Sequence, residues 1–291
     1  MSDRHDSQRV ALVTGQSGFI GGALMRTLGQ LGWQVSGLTD AAGGAVDLRD
    51  GLEVATCVAR VAPQVIFHMG GISGPMQFAD DATTVLRVNI EGTQSLLDAA
   101  AAGPTRRVIL AGSVAGYATP GPSGPEPDSV YGLTKRMAEL QAHLWARQTG
   151  REATALRIGS VYGAGRASEN PMHQMVRQAH AEGRITVVPH RMEPCIDIDS
   201  CVALIAGLAE VPRLDWRYDV VADRPKAEEV AALIAGFTGA QIETVQGVPA
   251  PVPSFPEPFD PAPLLRDTGV AELLPLRDGV KALVEAFALA T

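Results

Sequence analysis

The sequence predicts an α/β chain, built as a doubly wound parallel sheet with a small C-terminal lobe on the substrate side. Three observations carry this. Short apolar runs alternate with helix-period patterns up to residue 160. The first run, Val10–Val13, passes through Gly15, Gly18 and Gly21 into a helix, the arrangement of a strand, a tight turn and a helix N-terminus. Beyond residue 160 the alternation loosens and the strands shorten. We therefore divide the chain into a core over 1–160 and a lobe over 161–291, interleaved with the last strands of the sheet.

Each element follows from its residues. Apolar Val10–Val13 fits a buried parallel strand. From Phe19, residues Ile20, Ala23, Leu24 and Leu28 recur at helical spacing. Trp33–Leu38 reads as a second strand and Ala45–Arg49 as a short third one. A helix over Asp50–Val61 has Asp50 as its N-cap. Gln64–His68 is a strand, and a long helical run spans about Asp80–Ala102. Arg107–Leu110 is a strand ending at Ala111, Gly112 and Ser113. The proline-rich loop TPGPSGPEPDS precedes a helix over Tyr131–Thr149, and Ala153–Ile158 is a strand. In the lobe, helices are expected near Pro171–Glu182, Asp199–Glu210, Lys226–Thr238 and at the chain end, with strands at Ile185–Val188, Cys195–Ile198 and Tyr218–Val221. The proline-dense stretch Gly247–Pro263 reads as an extended surface segment.

Composition narrows the partners. With 291 residues, a net charge of −8 and no basic run, the chain is not patterned for nucleic acid or an anionic membrane. No apolar run reaches membrane-spanning length. Cys57, Cys195 and Cys201 are scattered and the histidines are not spaced as ligands, so no metal site is expected and the thiols read as free in a reducing, cytoplasmic compartment.

The first turn can hold a pyrophosphate. Gly15 permits the bend, Gly18 the approach of backbone to ligand, and Gly21 close packing of the helix. Two roles are open to Asp40, some twenty residues on: a carboxylate for an adenosine ribose, or a turn residue before AAGG. No Arg or Lys lies between Trp33 and Leu48, which favours NAD without excluding NADP. Tyr131 and Lys135 stand four apart, on one face of a helix. An ammonium beside a phenol favours the phenolate, which makes the pair a proton-transfer group, and Ser113 at a strand end can orient the same substrate oxygen.

These features, in this order, resemble the extended branch of the short-chain dehydrogenase/reductase superfamily, the NAD-dependent epimerase/dehydratase family. The resemblance rests on VTGQSGFIGG, DLRD, IFHMGG, VNIEGTQSLLDAA, SVAGYA, YGLTK, LRIGSVYG and IDIDSCVALI, and spans nearly the whole chain. It implies a Rossmann fold, with Tyr131 as general acid/base, Lys135 lowering its pKa and holding the nicotinamide ribose, and Ser113 polarising the substrate oxygen. It further implies cofactor contacts from Gly15, Ser17, Gly18, Phe19, Ile20, Asp40, Asp47, Leu48, Met69, Gly70, Asn89 and Ile158. Such proteins often form homodimers through the helices corresponding to Asn89–Ala102 and Tyr131–Thr149.

The departures bear on substrate. Many nucleotide-sugar members carry Asn before V-Y-G, where this chain has Ser160, and a G-D-G-like turn with an arginine before V-D-D, where it has VPHRMEPCIDIDS. Ser160, Arg166, His190 and Arg191 are candidate substrate contacts. Val114 and Ala115 replace the acidic pair of dehydratases. The expected activity is NAD(P)-dependent hydride transfer between nicotinamide and a small hydroxyl or carbonyl compound, sugar derivatives included. The alternative is a nucleotide-sugar epimerase that keeps its NAD bound.

Overall fold

A computed structural model describes residues 9–72, 81–247 and 253–290. Strand β1 (Val10–Thr14) leads through the glycine turn into helix α1 (Phe19–Gln30), then β2 (Gln34–Gly37), α2 (Gly51–Val61) and β3 (Val65–His68). Helices α3 (Ala82–Leu86) and α4 (Gly92–Ala102) are joined by a π-helical turn, Arg87–Glu91, and precede β4 (Arg107–Ala111). A 3-10 turn (Val114–Tyr117) and a hairpin of β5 (Thr119–Gly121) and β6 (Gly124–Glu126) lead into α5 (Val130–Thr149) and β7 (Glu152–Ile158). The lobe contributes β8 (Ser160–Tyr162), α6 (Pro171–Glu182), β9 (Arg184–Val187) and β10 (Cys195–Asp197). There follow α7 (Ile198–Gly207), β11 (Arg217–Val220), α8 (Ala227–Thr238), β12 (Gln241–Thr244), α9 (Ala262–Thr268) and α10 (Leu276–Ala290).

Six parallel strands form the central sheet in the order β11-β7-β4-β3-β1-β2. Side chains alternate across it. Ala11, Val13, Val65, Phe67 and Ile109 join one apolar cluster with Leu24 and Leu28 of α1 and Leu204 and Ile205 of α7. Leu12, Ile66, Val108 and Leu110 join the other, with Val54 and Val58 of α2, Leu96 and Leu97 of α4, and Trp145 of α5. The period of two thus gives each strand two apolar faces, which is why these strands read as unbroken apolar runs. From β1 the chain steps to β2 on one side and then to β3 on the other, so a crevice opens at their carboxyl ends.

Three sequence expectations are corrected. Ala45–Arg49 is not a strand: only an isolated bridge, Thr39 to Ala45, forms there, because the Asp40 carboxylate closes a turn by accepting from Ala42 and Gly44 N–H. The proline-dense stretch, of which 248–252 lie outside the described residues, carries a helix at its end, α9, with Pro261 entering it as cap. Strands β8 and β12 pair β10 and β9 in small parallel ribbons too short to show a period. Asp80, the expected start of the long helical run, also lies outside the described residues.

The lobe has its own core, in which Met172, Val176, Ile185, Val230, Ile234, Val280 and Leu283 pack together. A buried ion pair ties the sheet's last strands: Arg157 of β7 meets Asp219 of β11, its cross-strand neighbour, at 2.5 and 2.7 Å. The same carboxylate accepts from Asp260 N–H at 2.8 Å, anchoring the segment that leads into α9. Asp219→Ala leaves a buried guanidinium unpaired and is expected to cost about 3–5 kcal/mol in urea unfolding, with Arg157→Met/Asp219→Leu much closer to the parent. A loss under about 1 kcal/mol for the single change would contradict this role.

Candidate active site

The crevice is floored by a chain of hydrogen bonds. Gly70 N–H donates to Thr14 Oγ1 at 2.8 Å, and Thr14 Oγ1 lies 2.7 Å from His68 Nδ1. His68 Nε2 lies 3.0 Å from Thr93 Oγ1, whose hydroxyl donates to the Asn89 carbonyl at 2.6 Å. Thr93 has spent its proton, so His68 donates from Nε2 and accepts at Nδ1. This holds the ring neutral; burial and the Lys135 ammonium push its pKa down to about 3. The carboxyl ends of β1 and β3 are locked together at the crossing where a dinucleotide would lie.

The turn between β1 and α1 is built to this contact. Gly15 has φ +68°, and a Cβ there would meet Gly70 at 2.8 Å; a Cβ on Gly21 would stand 2.1 Å from the Gly15 carbonyl. Gly21 therefore serves to close the turn, in addition to the helix packing expected of it. Gly18 caps α1 with no side-chain acceptor and no acid in the first turn, so the amides of Phe19 and Ile20 have only backbone and solvent as company. Ser17 is exposed beside them and Met69 packs on the core below.

Asn89 sits in the π-helical turn, buried, and its amide is fully engaged. Oδ1 accepts from Ile72 N–H at 2.8 Å, while Nδ2 donates to the Ile72 carbonyl at 3.1 Å and to Thr134 Oγ1 at 3.0 Å. Thr134 in turn donates to the Tyr131 carbonyl at 2.8 Å. Asn89 thus holds the loop after β3 and the start of α5 in one register.

On α5, Ser129 caps the helix by accepting from Gly132 N–H at 3.1 Å. A Cβ on Gly132 would meet the Ala115 carbonyl at 2.4 Å, so this glycine lets the helix lie against the turn that begins at Ser113. That turn is pinned from behind by Tyr117, whose hydroxyl bonds Glu139 at 2.6 and 2.7 Å and accepts from Arg217 at 2.9 Å, with Arg136, Arg157 and Arg217 against its ring. Ser113, Tyr131 and Lys135 meet as a result. The Ser113 side chain stands close enough to the phenol to favour its ionised form, while its Oγ accepts from Ala115 N–H at 3.2 Å. Lys135 Nζ lies 5.8 Å from the Tyr131 ring centroid and donates to the Ala111 carbonyl at 3.0 Å.

Burial dominates the electrostatics. It lowers the Lys135 pKa to about 8. It also raises that of Tyr131 above the ordinary phenol value, against a lowering by Ser113 and by Arg166 and a further raising by Glu193. In the protein alone desolvation sets the direction for the phenol, and the Lys135 ammonium is not among the groups that shift it.

A cleft on the lobe side is lined by Ser160, Asn170, Pro171, Met172, His190, Met192, Glu193 and Cys195, and of these Glu193 bears on the Tyr131 phenol. Ser160 Oγ accepts from Asn170 Nδ2 at 3.0 Å. Arg166 faces Tyr131 and Glu193, its guanidinium fixed by the carbonyls of Val161, Ser168 and Glu169. His190 donates from Nδ1 to the Val188 carbonyl at 2.7 Å, leaving Nε2 open. Arg191 is exposed and donates to the Arg224 carbonyl, outside the cleft lining, since its strand bridge to Lys226 turns it to the lobe surface. Glu193, Asp128 and Gly132 were not singled out by the sequence; only the pairing of β8 with β10 reveals that Glu193 stands beside Ser160.

The adenosine end differs in detail from expectation. Asp40 Oδ1 is occupied by its own turn, and Asp47 is paired with Arg49 at 2.5 Å, which lowers its pKa. Leu48 is buried against Gly92, and Ile158 is buried in the sheet core. Arg60, from α2, reaches the carbonyls of Thr39 and Asp40, placing a cation where the strand itself has none. Among the described residues no cluster of three metal-ligating side chains occurs, and no helix is long and apolar enough to cross a membrane.

Comparisons with known proteins agree with this architecture. A uronate dehydrogenase of Pseudomonas syringae pv. tomato is 32% identical over 167 residues, 52% of this chain and 59% of that protein. A UDP-glucose 4-epimerase of Mycolicibacterium smegmatis is 28% identical over 178 residues, 52% of this chain and 56% of that protein. The chain thus spans less than two thirds of the curated relatives it matches. The crystal structure of the Thermus thermophilus UDP-glucose 4-epimerase in complex with NAD superposes with a TM-score of 0.81 at 21% identity, covering 97% of this chain and 99% of that one, and shows the fold. The sequence profile of the NAD dependent epimerase/dehydratase family matches residues 11–200, well over half of the chain, and to that family the chain belongs.

Proposed function

We propose that this protein is an NAD-dependent oxidoreductase of a monosaccharide-sized substrate, with sugar acids of the uronate class foremost. The observation that carries the reading is the meeting of Ser113, Tyr131 and Lys135 near an immobilised guanidinium, that of Arg166. The similarity to a uronate dehydrogenase supports that substrate class.

The residues fit the cofactor. The uncapped start of α1, the Gly15–Gly70 contact and the half-buried ammonium-lined recess around Asn89 and Lys135 suit a pyrophosphate and a ribose. We assign Gly15, Ser17, Gly18, Phe19 and Ile20 to the pyrophosphate, Lys135 to the ribose, and Asp40, Asp47 and Leu48 to the adenosine end. When bound, NAD supplies the hydride acceptor and a positive charge near the phenol. Ser113 donates to or accepts from the substrate oxygen, Tyr131 moves its proton, and Lys135 relays charge from below. Arg166 offers the two N–H donors that its three carbonyl partners leave over, in the fork geometry that a carboxylate takes.

The second reading, an epimerase, is favoured by the likeness to UDP-glucose 4-epimerases. The two separate cleanly. A dehydrogenase accumulates reduced nicotinamide in step with substrate, whereas an epimerase gives none. Three buried free thiols support a reducing, cytoplasmic setting. A homodimer is supported by α5, where Val130, Leu133, Met137, Leu140 and Leu144 form an exposed apolar stripe at alternating three- and four-residue spacing.

Tyr131→Phe is expected to lower turnover roughly 10²–10⁴-fold while NAD binding, followed by calorimetry, stays within about threefold. Retained turnover would remove the catalytic assignment. Because the Ser113 side chain favours the phenolate, its loss in Ser113→Ala raises the phenol pKa further. The acidic limb of the oxidation profile should therefore move to higher pH, and a profile that stays put would contradict the contact. Leu140→Glu/Leu144→Glu should give a monomer by light scattering where the parent is a dimer; an unchanged dimer would place the interface elsewhere.

A further inference from the structure

The cleft carries a charge pattern that the family assignment does not supply. Glu193 lines it, half-buried, and lies within electrostatic reach of three groups: the Tyr131 phenol, the Arg166 guanidinium and the Asp128 carboxylate just ahead of the α5 cap. Its position is fixed by backbone. Ser160 N–H donates to the Pro194 carbonyl at 2.7 Å, and β10 runs parallel to β8 from there, so residue 193 is held beside residue 160 at the cleft wall. On the other side Arg166 cannot swing away, because the carbonyls of Val161, Ser168 and Glu169 hold its guanidinium. The charged groups near the reacting end are thus the Arg166 and Lys135 cations and the Glu193 and Asp128 carboxyls, with His190 presenting an open ring nitrogen in the cleft wall.

We propose that Glu193 is a specificity-determining residue that excludes nucleoside diphosphates from this cleft and selects a small, hydroxyl-rich substrate in their place. This rests on the oxidoreductase reading above and names how the site chooses within it. A diphosphate brings two or more negative charges against the Glu193 carboxylate of the cleft wall, with Asp128 near it, and Arg166 has already committed three N–H donors to backbone carbonyls. A single substrate carboxylate can pair with Arg166. The neighbouring substrate hydroxyls can then donate to Glu193, which an apolar or amide wall would not accept as strongly.

The test is calorimetric titration of UDP onto the NAD-loaded protein. It needs no turnover, so it stands apart from the oxidoreductase reading, which fails instead if the parent forms no reduced nicotinamide with any free sugar or uronate. The parent should bind UDP weakly. Glu193→Gln, which keeps the shape and removes the charge, should tighten UDP about tenfold, Glu193→Arg more, and Asp128→Asn less but in the same direction. Glu193→Asp should remain as weak as the parent. With glucuronate as substrate, Glu193→Gln should raise KM several-fold while kcat changes less than KM. Tight UDP binding by the parent, or equal UDP affinity in the parent, Glu193→Gln and Asp128→Asn, would overturn the proposal.

Discussion

A buried ammonium beneath a half-buried phenol is the constraint on which the rest of this structure depends. Lys135 is held away from water, with the Ala111 carbonyl as its hydrogen-bond partner, and its pKa falls to about 8. Tyr131 is desolvated as well, and its ionisation moves up. Neither group would be stable in such a place without a scaffold that fixes both, since an unanchored buried cation would be expelled to solvent. The scaffold is visible: Asn89 and Thr134 hold the start of α5, Gly132 lets it approach the Ser113 turn, and Tyr117 with its ring of arginines fixes that turn from behind. The phenol is thereby poised above its ordinary value, and a cation arriving at the crevice brings it down.

The sheet explains why this happens at one place. The switch of chain direction between β2 and β3 opens the crevice at the end of β1, and β4 ends one strand further along, so Ser113 and the glycine turn lie on the same rim. The lobe does not supply the reacting groups. It supplies the wall opposite them, through β8 and β10, whose pairing sets Ser160, Glu193 and Arg166 around the substrate end. On the proposed reading, chemistry and selectivity reside on different parts of the chain.

The sheet strands and the larger helices are legible in the sequence because each carries a period that spans its length. The apolar runs of β1, β3 and β4 announce strands covered on both faces, and Tyr131 with Lys135 announces one helix face. The glycine turn is legible too, although the closure by Gly21 on the Gly15 carbonyl is not, since a steric contact of backbone on backbone leaves no pattern. Ala45–Arg49 misleads because its apolar residues look like a strand, whereas the Asp40 turn has already taken the backbone. Glu193 and Asp128 are invisible for another reason. They are sixty-five positions apart by residue number, and only the tertiary pairing of two three-residue strands brings Glu193 to the side of Asp128 and the phenol. Arg60 is the same case at the adenosine end, a cation delivered from a helix to a strand that has none.

The most direct measurement of the central claim is the ionisation of Tyr131 itself, read as the ultraviolet difference between the parent and Tyr131→Phe across alkaline pH, with and without NAD. The account predicts a phenol that ionises above its ordinary value of 10 in the protein alone and at clearly lower pH once NAD is bound. A phenol that ionises at the same pH in both states would contradict it, because the group would then be neither buried as described nor facing the crevice.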